Sequence, residues 1–141
     1  MTMISRKVLV ALMQAGNGVT EDSNTSLQQF GLSVQQFNVM RILRGRKGEA
    51  ASLECITNEM IHRMSNTSRL VDRLIEKRLV TRKTCENNRR KVEIFITENG
   101  LTLLEKIEPV LKATEKKLTK ALSEAEKKQL FELLTKLKSK S

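Results

Sequence analysis

Residues 64–97 read MSNTSRLVDRLIEKRLV, TRKTC, ENNRR and KVEIFIT, and this stretch decides the fold. The first part is an amphipathic helix with a polar start, expected over residues 65–78 with Ser65 as its N-cap. Leu70, Val71 and Leu74 supply the buried face, and Leu79 packs just beyond the helix end. Val80 to Cys85 and Lys91 to Thr97 then form two strands. Val92, Ile94 and Ile96 alternate with Glu93, Phe95 and Thr97, the period-two pattern of a half-buried antiparallel strand. Glu86-Asn87-Asn88-Arg89-Arg90 makes a polar tip between them.

A helix followed at once by a basic-tipped hairpin is the layout of a winged helix-turn-helix. In that arrangement the helix enters a DNA groove and the hairpin lies alongside it. The charge distribution agrees. The 141-residue chain carries a net charge of +10, which suits a polyanionic partner. Between Ile61 and Lys91 there are ten Lys/Arg against three acids, an Arg-rich excess of +7 in the reader stretch. From Lys112 onward nine Lys stand against four Glu, and this all-lysine excess reads as a solvated helix face.

Outward from this stretch the chain is helical. Upstream, Ser33 and Gln36 form a capping box that opens SVQQFNVMRILRGR, with Val34, Phe37, Met40, Ile42 and Leu43 as its apolar stripe. Gly31 closes the element before it. Arg41, Arg44, Arg46 and Lys47 gather where the helix dipole favours cations. Ser52 caps a short helix whose Leu53, Ile56 and Met60 face inward. The first helix is expected from Ser5 to about Phe30, where Gly16-Asn17-Gly18 marks either a break or a close helix contact. Downstream, Thr97 caps a helix from Glu98 to about Ala121 in which Pro109 is expected to produce a kink. Ser123 and Glu126 form a second capping box and open a last helix with Leu130, Leu133, Leu134 and Leu137 apolar.

The expected fold is therefore mainly α with a small β-hairpin wing, in one domain over residues 1–141. Its DNA-binding lobe spans about 33–97, with dimerisation helices at about 4–30 and 98–138. A lobe of this size has only a marginal core of its own. Terminal helices with unpartnered apolar faces imply a second subunit, and a homodimer is the economical answer.

Three segments, FGLSVQQFNVMRIL (30–43), MSNTSRLVDRLIEKRLVTRK (64–83) and NNRRKVEIFITENG (87–100), together resemble the MarR family of bacterial transcriptional regulators. The resemblance covers about half the chain by motif and the whole of it by element order. It implies an obligate dimer with interleaved first and last helices, a recognition helix at 65–78 and a wing tip at 86–91. It also implies a mostly repressive role on palindromic operators, with release by small, often phenolic or lipophilic, anions. Two departures stand out. The family's wing usually carries Asp-x-Arg, and here Asn88 precedes Arg89 and Arg90, so Arg90 lacks the ion pair that would orient it. The peroxide-sensing branch has a reactive cysteine in its first helix, and this chain has none there; Cys55 and Cys85 read as structural.

The candidate DNA-binding residues fall in two groups. Ser65, Asn66, Thr67, Ser68, Arg69 and Arg73 lie on the reader helix, where short polar side chains let the N-terminus approach bases and phosphates. Arg82, Lys83, Asn88, Arg89 and Arg90 lie on the hairpin: Arg82 and Lys83 are expected to contact the DNA backbone, and Arg89 and Arg90 at the wing tip to meet phosphates or the minor groove, since arginine suits a narrow, electronegative groove. An apolar or phenolic effector would have to rely on methionines and on Phe30, Phe37 or Phe95, since the chain has no Trp or Tyr. A single histidine, His62, and the absence of a phosphate loop or metal-ligand spacing argue against an enzyme and against a cofactor. The competing reading is a winged-helix protein–protein module that does not use DNA. The Arg-rich surface of 63–91 argues against it. No apolar run is long enough for a membrane span, and a cytoplasmic location is expected.

Overall fold

The computed structural model describes residues 3–63, 66–85 and 88–138. Ser65 and the hairpin residues Glu86 and Asn87 lie outside the described residues, as do the side chains of Cys85, Asn88, Arg89 and Arg90.

Six helices and one hairpin are described, in the order α1 (Ile4–Gln28), α2 (Val34–Gly45), α3 (Leu53–Glu59), α4 (Thr67–Glu76), β1 (Val80–Cys85), β2 (Asn88–Ile96), α5 (Glu98–Leu118) and α6 (Glu124–Lys138). Chain-local chemistry sets most of the boundaries. Gly31 adopts φ +71°, and Leu32 N–H donates to the Leu27 carbonyl while Gly31 N–H donates to that of Gln28. This is a Schellman closure, in which glycine accepts the left-handed conformation without a Cβ penalty. The Ser33–Gln36 capping box is formed in both directions. Ser52 accepts from Cys55 N–H at 3.0 Å, and Thr97 from Gly100 N–H at 3.0 Å. Ser123 and Glu126 exchange bonds of 2.9 and 3.1 Å. The bonds from the Ser123 backbone and hydroxyl hold the Glu126 carboxyl below the usual carboxylate range.

Several sequence expectations change. α1 runs unbroken through Gly16 and Gly18, and nothing lies within 4 Å of a Cβ added at either. Within one chain they mark neither a break nor a close contact. α5 carries Pro109 inside it, as expected, and ends at Leu118, short of Ala121. α4 begins at Thr67 with Asn66, not Ser65, as its cap: the Asn66 side chain accepts from Arg69 N–H at 3.1 Å. It also ends earlier than expected, at Glu76, with Arg78 at φ +62°. Leu79 N–H donates to the Leu74 carbonyl and Arg78 N–H to that of Ile75, a second Schellman closure with arginine in the glycine position.

The second strand begins earlier than expected, at Asn88. Val80 pairs with Ile96, Arg82 with Ile94 and Thr84 with Val92; a bulge follows Thr84, so that Cys85 pairs with Asn88. Asn88, Arg89 and Arg90 therefore belong to β2 and not to a loop. Ala51 adds a third, single-residue bridge, exchanging backbone bonds of 3.0 and 2.9 Å with Ile94. This pins the segment before α3 to the hairpin.

The core sits where α2, α3, α4 and the hairpin meet α5. Val39, Met40, Leu43, Ile56, Val71, Leu74, Ile94, Leu104 and Ile107 are all at most 1% exposed. Phe30 and Phe37 pack against its edge. Gly100 is required at the joint between hairpin and α5, because a Cβ there would lie 2.5 Å from the Leu79 carbonyl oxygen and 2.6 Å from Ile96 Cγ1. Arg46 folds back over the end of α2, donating to the Ala50 carbonyl at 2.8 Å and to Cys55 Sγ at 3.5 Å. Cys55 is thereby part of the packing between α2 and α3.

The terminal helices contrast with this core. α6 has no buried residue, and Phe131 is 71% exposed. α1 buries only Leu27 and leaves Val8, Leu9, Val10, Met13 and Val19 open. No described helix is long and apolar enough to cross a membrane.

Candidate nucleic-acid interface

The face presented by α4 follows from its 3.6-residue period. Thr67, Val71 and Leu74, at i, i+4 and i+7, turn into the core and are buried. Asn66, Ser68, Arg69, Asp72 and Arg73 are then left on the outer side, all exposed. The helix is thus anchored on one stripe and presents short polar groups and two arginines on the other.

Thr67 was expected on the outer side and is corrected to the inner one. It is 5% exposed, and its hydroxyl lies 2.7 Å from that of Thr57 in α3. Thr57 also bonds the Leu53 carbonyl at 2.8 Å, which can only accept. The single Thr57 hydroxyl proton is shared between the Leu53 carbonyl and the Thr67 hydroxyl. Thr67 fastens α4 to α3 and is not available to a ligand. Asn66 serves first as the helix cap, and its exposed edge remains open to solvent. Ser65, beside it, lies outside the described residues.

On the hairpin, Arg82 and Lys83 point to opposite faces of the pleat. Arg82 reaches across to α4, where its Nη1 lies 3.2 Å from Asp72 Oδ1, with the two side chains 47% and 53% exposed. An ion pair this exposed adds at most about 1 kcal/mol of stability. Its geometric effect is larger, because it ties the root of the hairpin to the middle of the reader helix. Lys83, on the other face, is exposed opposite Glu93. Arg69 and Arg73 have no carboxylate partner within 4.0 Å among the described residues. Asn88, Arg89 and Arg90 continue the hairpin as β2 residues, and Asn88 pairs with Cys85.

Arg78 was not singled out from sequence as more than a helix end. Its place after α4, where a left-handed residue closes the helix, is the signal that could have drawn notice. No group of three His, Cys, Asp or Glu side chains that could hold a metal lies together among the described residues.

An anchored helix with a polar, arginine-bearing outer face, a hairpin tied beside it and long flanking helices together match known proteins over nearly the whole chain. A family model described as "MarR family" matches residues 30–91. The HTH-type transcriptional regulator MhqR of Bacillus subtilis (strain 168) is 30% identical over 134 residues, covering 95% of this chain and 91% of that protein. The chain belongs to the MarR family. Among solved structures, a MarR-like transcription regulator from Bacillus cereus ATCC 10987 superposes with a TM-score of 0.86 at 19% identity, covering 97% of both chains. BpsR of Bordetella bronchiseptica superposes with a TM-score of 0.86 at 22% identity, covering 94% of this chain and 99% of that one. That structure is described as showing how 6-hydroxynicotinic acid regulates DNA binding by BpsR. The MarR-family chain described here is accordingly a winged helix-turn-helix transcriptional regulator.

Proposed function

We propose that this MarR-family regulator acts as a homodimeric, cytoplasmic repressor that binds a pseudo-palindromic operator. The observation that carries the reading is the outer face of α4, where Asn66, Ser68, Arg69 and Arg73 stand exposed on a helix held from behind by Thr67, Val71 and Leu74. Arg69 and Arg73 would meet base edges or phosphates in the major groove, with Asn66 and Ser68 close to the backbone. Arg82 holds the hairpin against α4 through Asp72, and Lys83, Asn88, Arg89 and Arg90 would meet phosphates or an adjacent minor groove.

The dimer reading is supported by the open apolar faces of α1 and α6, which in a single chain would expose Val8, Met13, Phe131 and Leu137 to water. Two copies joined along these faces would present two reader helices related by a two-fold axis, matching inverted half-sites about one helical turn apart. Release by a small aromatic or phenolic acid is supported by the description of BpsR, whose DNA binding responds to 6-hydroxynicotinic acid.

The test is selection of bound fragments from random duplex DNA with the purified protein. The expected result is an enriched inverted repeat whose affinity falls steeply with salt, because each neutralised phosphate releases counterions. Changing Arg89 and Arg90 together to alanine should weaken binding to the enriched sequence by at least about tenfold, a loss of ~1.4 kcal/mol or more. The thermal midpoint should not change. Unaltered binding would remove the hairpin from the interface.

A further inference from the structure

The chain that rises into α4 is held from behind by a polar group inside the core. Asn38 stands in α2 between Phe37 and Val39, and it is 2% exposed. Its Oδ1 accepts the backbone N–H of Ile61 at 2.9 Å, 23 residues away in sequence. Ile61 follows Met60, the residue that ends α3, and begins the turn towards α4. The orientation of the amide is chemically forced: turned over, its Nδ2 would oppose the Ile61 N–H, donor against donor.

The other half of the amide, Nδ2, is buried and has no hydrogen-bond partner among the described residues. As a fixed acceptor for one particular backbone N–H, the side chain has a definite geometric effect. On the far side of the same turn the Thr67–Thr57 bond fastens the first residue of α4 to α3. Ile61 is thereby held by α2 and Thr67 by α3.

We infer that Asn38 is a positioning residue for sequence-specific DNA recognition. It touches no DNA itself. Through Ile61 it sets the height and direction in which the chain enters α4, and so the placement of Asn66, Ser68 and Arg69 over the groove. This rests on the DNA-binding reading above and adds to it a residue buried behind the interface.

The test compares full-length wild type with Asn38→Ala, which removes the acceptor and the unpaired donor together without overpacking the core. Val39→Ala serves as control, because it damages the same helix and core and leaves Asn38 in place. Two probes are used: the duplex that wild type enriches from a random pool, and a scrambled duplex of equal length. Asn38→Ala should lose at least tenfold in the ratio of specific to non-specific affinity while its thermal midpoint stays near that of wild type. Amide exchange at Ile61 should accelerate in the same variant. Val39→Ala should lose midpoint and keep the ratio. An Asn38→Ala protein that keeps the ratio, or one that does not fold, overturns the inference, as does a Val39→Ala protein that loses the ratio in proportion to its stability. Failure of wild type to enrich any sequence is a separate result. It overturns the DNA-binding reading itself and takes this inference with it.

Discussion

The lobe from α2 to β2 and the helices at the two ends of the chain treat apolar surface in opposite ways. In the lobe, side chains from five elements converge so that Val39, Met40, Ile56, Leu74 and Ile94 have no exposed surface at all. In α6, four leucines and Phe131 line a helix that buries nothing. α1 is 25 residues long and contributes only Leu27 to the core. The lobe closes its apolar surface within one chain with the help of Leu27, Leu104 and Ile107, whereas most of the apolar surface of α1 and α6 stays open. Contacts that hold the reader in shape should therefore respond to mutation differently from contacts that bring two readers together.

The largest expected effect tests the lobe's independence. Leu74→Ala should lower unfolding free energy by about 2–5 kcal/mol, because the surrounding core cannot fully collapse onto the space left. Denaturant melting followed by amide exchange at Val71 and Ile94 would show it; a loss well below 1 kcal/mol would mean that the lobe core is looser than its burial implies. Gly100→Ala comes next. Its new methyl must move the Leu79 carbonyl or Ile96, at a cost of about 1–3 kcal/mol. The same melts would read it, with the α5 amides changing together with those of the hairpin. Arg78→Gly should act in the opposite direction, adding about 1 kcal/mol by relieving a Cβ at φ +62°. A lower midpoint in this variant would mean that the Arg78 side chain contributes more than its backbone costs. Smallest for the lobe is Phe131→Glu, within ~0.5 kcal/mol for a surface substitution. Its effect should instead appear in sedimentation, as a shift from dimer to monomer. A monomeric wild type, or a Phe131→Glu dimer as tight as wild type, would dissolve the contrast between lobe and ends.

What could be read from sequence divides along the same physical line. Caps whose partners lie three residues away were legible, because Ser33 with Gln36 or Ser123 with Glu126 needs nothing from the rest of the fold. The cap of α4 was not. SNTS offers four adjacent residues able to cap, and nothing in the local pattern selects Asn66 among them. Thr67 was misplaced although its spacing to Val71 and Leu74 carried the answer; a polar residue on an apolar stripe is easily assigned by its type and not by its position. Arg89 and Arg90 read as a loop because charged runs have no strand period; they fall in β2 between the Cys85–Asn88 and Thr84–Val92 pairs. Asn38 gave no sequence signal beyond being one polar letter in an apolar run. The geometry of the candidate site was therefore legible where it depended on periodicity, and hidden where it depended on tertiary hydrogen bonds.

The Thr97 hydroxyl accepts from Gly100 N–H at the start of α5 and donates at 2.8 Å to the Arg78 carbonyl at the end of α4. With Gly100 pressed against Leu79, this ties the residues after α4 to the start of α5. If α4 and α5 move as one body, they form one leg of a pair of callipers. In a two-fold assembly, any opening of the hinge between the legs would change the gap between their tips by a calculable amount. DNA has a fixed pitch, so a few ångströms at the tips would decide whether the callipers close on both half-sites or on only one.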